Sequence, residues 1–292
     1  MYKHSITRTS RSAIVIAIDS SISMQEWTKF YNTRMRKMEV ASLIANFVID
    51  EIIMRSTRAG LIRDYYDIAI IRYSGDGIES ILTNEEGGMI HINQLSDMMP
   101  QPVCYDITYG ACCDAQTTIP LSLHEWITPK AYGTSPMYEA LAHIRDMLTL
   151  WCDDHINRNS FPPMVINISA GCCSDAEDTE LLDIASQIQK IGTNDGNTLM
   201  LNIYLADEYD DLDNILFPST YNIFSDNHDC QMLSDMSSNL PSELEYIVTE
   251  IGGYKHSGGY KCFACNASIF ELLMIADIGT EDCKHNEDIW GK

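Results

Sequence analysis

Asp19, Ser21 and Ser23 are the residues of this chain whose types and spacing best suit chemistry. In an extended or loosely turning segment alternate side chains point the same way, so the carboxylate and two hydroxyls of D-x-S-x-S can converge on one point. This hard-oxygen set suits Mg²⁺ or another divalent cation, which keeps several waters and needs few protein ligands. Alone the motif is weak, because serines after a strand often only cap the turn. Its position strengthens it. Residues 12–18 (SAIVIAI) form a continuous apolar run, the pattern of a strand buried on both faces of a parallel sheet. Ligands of such sheets sit outside the carboxyl ends of the strands.

The elements that must position this motif are read from periodicity. Apolar residues at helical spacing (Met38, Leu43, Ile44, Phe47, Val48, Ile52) predict a long helix over 35–55. Residues 67–73 (DIAIIRY) predict a second buried strand that returns through the turn SGDG to a short strand at 78–82. Further strands are expected at 163–169, 198–205 and 260–265, and further helices at 137–151, 178–191, 230–237, 242–251 and 267–275. Pro136 suits the start of the helix at 137, where its missing N–H costs nothing. Strands alternating with helices predict a doubly wound, Rossmann-like α/β fold. The expected sheet is central and mostly parallel, with one antiparallel edge strand and helices on both faces. No internal repeat or low-complexity linker divides the chain. We therefore expect a single domain over 1–292 with a core at 11–281, an irregular insertion at 84–132 and a tail at 282–292.

Composition narrows the function. Nineteen basic residues against forty-two acidic give a formal charge of −23, which repels phosphate backbones and anionic membranes and suits a basic partner or a captured cation. The polar, basic first dozen residues predict no export signal. The longest apolar runs are far shorter than a membrane span. The expected compartment is the cytoplasm, with most of the ten cysteines reduced.

The opening motif, in its place after a fully apolar first strand, resembles the metal-ion-dependent adhesion site of the von Willebrand factor A (vWA) family. The resemblance extends to Gly133-Thr134-Ser135-Pro136-Met137, which matches a loop from which the family supplies a further hydroxyl. It puts Ser135 at that position, with Thr134 adjacent. It also extends to Val165-Ile166-Asn167-Ile168-Ser169-Ala170-Gly171, where the family expects a strand ending in S/T-D-G, so Ala170 stands at the aspartate position. Losing that carboxylate weakens metal affinity; Asp175 and Asp178 lie a few residues on. The segments at 192–197 (GTNDGN), Phe217-Pro218, Asn239-Leu240-Pro241, Asn266-Ala267 and Asp277-Ile278-Gly279-Thr280 resemble bacterial stand-alone vWA proteins of the TerY-like type.

What the resemblance implies is a protein-binding adaptor rather than an enzyme. Its divalent cation would be held by Asp19, Ser21, Ser23 and Ser135 or Thr134 and completed by an acidic side chain of the protein partner. It also implies association with a kinase and a phosphatase in a stress or defence system. Two other readings stay open: a metal- or cysteine-dependent hydrolase, and a metal-free scaffold of the same fold.

Other signals are weaker. Cys262-Phe263-Ala264-Cys265 has C-x-x-C spacing, but it falls in an expected strand, where i and i+3 face opposite sides. Cys112-Cys113 and Cys172-Cys173 are adjacent pairs, the second bordering the expected site. A thiol nucleophile (Cys104, Cys112 or Cys172) beside His124 or His143 is not fixed by sequence. Met24, Trp27, Phe30 and Tyr31 follow the motif and either form an exposed interface rim or tuck beneath the loop.

Overall fold

A computed structural model of the chain describes residues 1–280 apart from 31–32, 110–116, 211, 213, 225, 254, 256–257 and 268. The opening apolar run is β1 (Ser12–Asp19), and every residue in it is buried. A hairpin of β2 (Trp27–Phe30) and β3 (Thr33–Arg36) leads into α1 (Lys37–Ser56). Then come β4 (Tyr66–Ser74), β5 (Gly77–Leu82) and the short β6 (Ile90–His91). A second hairpin, β7 (Pro102–Tyr109) and β8 (Thr117–His124), precedes α2 (Met137–Asp153). The chain continues as β9 (Met164–Ser169), α3 (Asp178–Ile188), β10 (Leu199–Tyr204), β11 (Ile215–Leu216), α4 (His228–Met236), β12 (Phe263–Cys265) and α5 (Ile269–Thr280).

The main sheet runs β11-β12-β10-β9-β1-β4-β5, with β6 also paired to β4. β1 lies in the middle, parallel to β9 and to β4, and β9, β10 and β12 continue in parallel. β5 returns antiparallel at one edge, as the SGDG turn predicts, and the two-residue β11 is antiparallel at the other. The fold is the doubly wound α/β sandwich expected from the alternation.

Side-chain alternation divides the core. Ile14, Ile16 and Ile18 face one side with Val40, Ile44 and Val48 of α1 and Ile275 of α5. Val15 and Ala17 face the other with Leu141 and Ile144 of α2, Ile184 of α3 and Leu233 of α4. Each fully buried isoleucine contributes about 1.5–3 kcal/mol, so a one-residue slip of β1 would exchange the residues of both cores. Cys262 and Cys265 fall in opposite cores, as strand alternation requires.

Three expectations are corrected. The helix expected from residue 35 begins at Lys37, because Met35 pairs with Thr28 in the β2–β3 ladder. Residues 84–132 are not irregular throughout, since β7 and β8 pair over their full length. Pro102 and Pro120 disguise the alternation there. This hairpin lies against α1, where Asp50 accepts from the His124 N–H (2.8 Å) and the Trp126 indole (3.2 Å). The helix expected over 242–251 shrinks to a π-type turn at Ile247–Ile251, stopped by Gly252 and Gly253, residues costly in a helix. No helix among the described residues is long and apolar enough to cross a membrane.

Candidate functional site

β1 delivers Asp19 to the carboxyl end of the sheet, opposite Tyr73 of β4. The chain then turns sharply. Ser20 donates to the Tyr73 carbonyl (2.9 Å), and its own carbonyl accepts from Tyr132 (2.8 Å). Ile22 donates to the Gly133 carbonyl (2.9 Å), which stitches the D-x-S-x-S loop to the loop carrying Ser135. Gly133 has φ +68°, and a Cβ there would lie 2.7 Å from Gly75 Cα. The close approach of the Ser135 loop to the β4–β5 turn therefore needs glycine at both positions.

Asp19 is 1% exposed. Its Oδ1 accepts the Ser21 N–H (2.8 Å), and its Oδ2 accepts the hydroxyls of Ser135 (3.3 Å) and Ser169 (3.2 Å). Ser21 and Ser23 share a hydroxyl–hydroxyl hydrogen bond of 2.8 Å. Burial pushes the Asp19 carboxyl above the usual aspartate value. The Ser21 N–H and hydroxyl, the Ser169 hydroxyl and the Ala170 N–H pull it partly back. The structure thus brings Asp19, Ser21, Ser23 and Ser135 together, while Thr134 is exposed and makes none of these bonds.

Ser169 is the member that sequence reasoning did not assign. It closes β9 as the last polar residue of a buried run, at the S/T position of the S/T-D-G pattern, to which no ligand role was given. Next to it, Ala170 is 3% exposed and packs into the core on the α1 side. The two downstream aspartates have other partners. Asp175 accepts the Tyr138 (3.1 Å) and Glu139 (2.9 Å) N–H groups at the start of α2, and Asp178 binds His228 Nε2 at 2.9 Å. Asp229 instead approaches the site from α4, resting on Gly171 where a Cβ would overlap it.

The neighbouring thiols are not activated. Burial, with Asp229 and Asp19 nearby, pushes Cys172 up against the opposing effect of a hydrogen bond with Ser23. Burial likewise raises Cys173, and pushes Cys152 and Cys262 up to about 12. Cys112 and Cys113 lie outside the described residues. Of the rim residues, Met24 (0% exposed) and Phe30 (2%) tuck under the loop. Trp27 stays half-buried, with the guanidiniums of Arg34 (4.1 Å) and Arg36 (3.7 Å) over its ring; Tyr31 lies outside the described residues.

A second group of metal-type donors sits at the amino end of the sheet. Ligand atoms of Asp64, Asp67 and His91 all lie within 4.8 Å of one another. Their sequence spacing gave no sign of this.

No family model and no curated protein matches this sequence. Among solved structures the chain is similar to a von Willebrand factor type A protein from Catenulispora acidiphila (14% identity, TM-score 0.40). That match covers 67% of this chain and 33% of the other, so this chain spans about a third of that protein's length. It is also similar to the SpRpn10 VWA domain (11%, TM-score 0.38, 68% of this chain and 77% of that one). A third is the manganese-loaded Plasmodium vivax TRAP protein (13%, TM-score 0.35, 68% and 59%).

Proposed function

We propose that the chain is a vWA-type recognition module that captures a protein partner at the carboxyl end of its sheet. The observation that carries this reading is Asp19, an almost fully buried carboxylate encircled by hydroxyls. Burying an anion with only neutral donors is costly, and a divalent cation relieves that cost. The donors fit such an ion, since Asp19 and the hydroxyls of Ser21, Ser23 and Ser135 are all hard oxygens. With one charged ligand the ion keeps most of its positive character, which suits an incoming Asp or Glu of a partner. Ala170 removes a second charge and makes the site weak.

The role we assign is non-enzymatic. The thiols bordering the site are held protonated, and a protonated thiol is a poor nucleophile. The finer reading, an adaptor beside a kinase and a phosphatase in a bacterial stress or defence system, is supported by the sequence resemblance alone.

The test is calorimetric titration of Mg²⁺ and Mn²⁺ into the wild type and Asp19→Asn, paired with capture of partners from the native cell with and without chelator. We expect an Asp19-dependent heat and a partner retained only with metal. Identical heats in the two proteins end the metal reading. Partner retention that ignores both chelator and Asp19→Asn ends the reading of this loop as the contact surface.

A further inference from the structure

The charged cluster at the other end of the sheet is independent of the Asp19 site and has features that site lacks. Asp67 lies near the start of β4, opposite Ala13 of β1 on one side and His91 of β6 on the other. Asp64 lies in the segment just before β4. His91 Nδ1 is 2.5 Å from Asp67 Oδ1 and 4.0 Å from Asp64 Oδ1. A metal ion with bonds of ~2.1 Å holds its ligand atoms roughly 3–4 Å apart, so small shifts of these three atoms would accommodate one.

The charges do not balance without help. Arg11 spans both carboxylates, with Nη1 3.1 Å from Asp64 Oδ2 and Nε 3.0 Å from Asp67 Oδ1. Asp67 also accepts the Trp151 indole N–H at 2.8 Å. Two anions thus face one fixed cation, which leaves a negative charge for a bound ion to answer.

Unpartnered atoms favour the ion. Asp64 Oδ1, the oxygen that faces His91, is shielded from solvent and has no hydrogen-bond partner. Beside the cluster lies a cavity of about 550 Å³ lined by Asp67, His91, His143, Trp151 and Asn157. Asn157 is only 6% exposed, and its Oδ1 has no partner; nor has His143 Nε2. A shielded polar atom without a partner costs about 1–3 kcal/mol. An ion held with Asp64 by Asp67 and His91, the two members of the cluster that line the cavity, answers the free Asp64 oxygen and places its waters in that cavity.

We propose that Asp64, Asp67 and His91 form a second divalent-cation site, selective for a first-row transition metal. The imidazole sets the class, because Mg²⁺ and Ca²⁺ prefer all-oxygen shells whereas Mn²⁺ and Zn²⁺ accept nitrogen with carboxylate. Trp151 orients Asp67 and Arg11 orients Asp64, while the remaining coordination positions open on the cavity.

Mn²⁺ is the probe, because ten cysteines would compete for Zn²⁺. Bound and free Mn²⁺ are separated by electron paramagnetic resonance in the wild type, Asp19→Asn, His91→Ala and the double variant. His91 is about half exposed, so its replacement leaves the core intact; circular dichroism checks this, and Asp64→Asn provides a second variant. We expect Asp19→Asn to keep a Mn²⁺ site whose affinity falls about tenfold or more when His91→Ala or Asp64→Asn is added. Absence of Mn²⁺ binding by Asp19→Asn, or equal binding by the double variant, overturns the proposal. Either result leaves the Asp19 reading to be judged by the wild-type difference.

Discussion

The two ends of the central sheet hold buried carboxylates in opposite ways. At the carboxyl end Asp19 is gripped by neutral hydroxyls and N–H groups, and burial raises its pKa. At the amino end Asp67 is also nearly buried, yet Arg11, His91 and the Trp151 indole surround it. The same strands, β1 and β4, build both ends. The difference lies in what the chain brings to meet each anion: a guanidinium at one end and only dipoles at the other. The amino end carries a fixed cation of its own, though one arginine answers only one of its two carboxylates. The carboxyl end leaves the whole charge of Asp19 to neutral groups.

The strongest way to break this contrast is to remove the polar chain that ties the strands beneath the carboxyl end. Tyr73 donates to Asn167 Oδ1 (3.0 Å), Asn167 donates to Asn202 Oδ1 (2.9 Å), and Asn202 donates to the Ser237 hydroxyl (3.0 Å) at the end of α4. This polar chain crosses the α2–α4 side of the sheet. Asn167→Leu leaves the Asn202 acceptor buried without a partner and removes one of the two side-chain hydrogen bonds of the buried Tyr73 hydroxyl, the other being to Ser169. We expect a loss of about 3 kcal/mol in urea unfolding, at 1–3 kcal/mol per orphaned group. A loss below about 1 kcal/mol would mean that the chain is not a structural tie.

Arg11→Ala strips the amino end of its fixed cation. Both carboxylates are mostly buried, so the expected cost is about 2 kcal/mol, below the range for fully buried pairs. Because the guanidinium competes with a bound ion for the same oxygens, Mn²⁺ should restore more stability to Arg11→Ala than to the wild type. Equal shifts of the melting temperature on adding Mn²⁺ would count against a cation site there.

How legible these ends were follows from what each depends on. Asp19, Ser21 and Ser23 lie within one short loop after an unmistakable strand, so local spacing revealed them. Ser135 came only through the family resemblance, which also aligned Ser169 with the S/T of S/T-D-G without giving it a role. The amino-end cluster depends on β6, a two-residue strand inside a stretch with no readable period, and no local rule pairs His91 with Asp67. The β7–β8 hairpin was hidden because Pro102 and Pro120 interrupt a pattern that is itself half polar. The start of α1 was misplaced for the converse reason: Met35 fits the helical period, but its backbone pairs with Thr28. Local pattern found the sheet and the first site, while contacts made by topology stayed invisible.

Asp19→Asn tests the unbalanced end with a smaller expected effect and an unusual sign. A carboxyl whose folded pKa is raised opposes folding once it ionises, and that penalty fades as pH falls through the raised value. Without metal, Asp19→Asn should therefore be more stable than the wild type at neutral pH, by about 1 kcal/mol. The advantage should shrink on acidification and reverse when Mg²⁺ is added to the wild type. A variant less stable than the wild type in chelator would show that the hydroxyls already compensate the charge.

The smallest expected effect lies at the edge of the same end. His228 bridges Asp178 of α3 (2.9 Å) and Asp229 of α4 (3.3 Å), pinning the two helix starts over Gly171. The hydrogen bonds to Asp178 and Asp229 raise its pKa above the usual histidine value. A raised histidine stabilises the fold fully below its unfolded value of about 6.5 and loses that contribution as pH rises through the folded value. With the side chain 68% exposed, solvent screening holds the gain to a few tenths of a kcal/mol. The melting temperature of the wild type should exceed that of His228→Gln at about pH 6 and match it well above the folded value. That window lies on the alkaline side of the histidine reference, whereas Asp19's opens upward from the aspartate value of about 4, so the two variants separate the contributions. A difference that does not change with pH would mean that His228 acts by packing rather than by charge, leaving Asp229 no electrostatic link to α3.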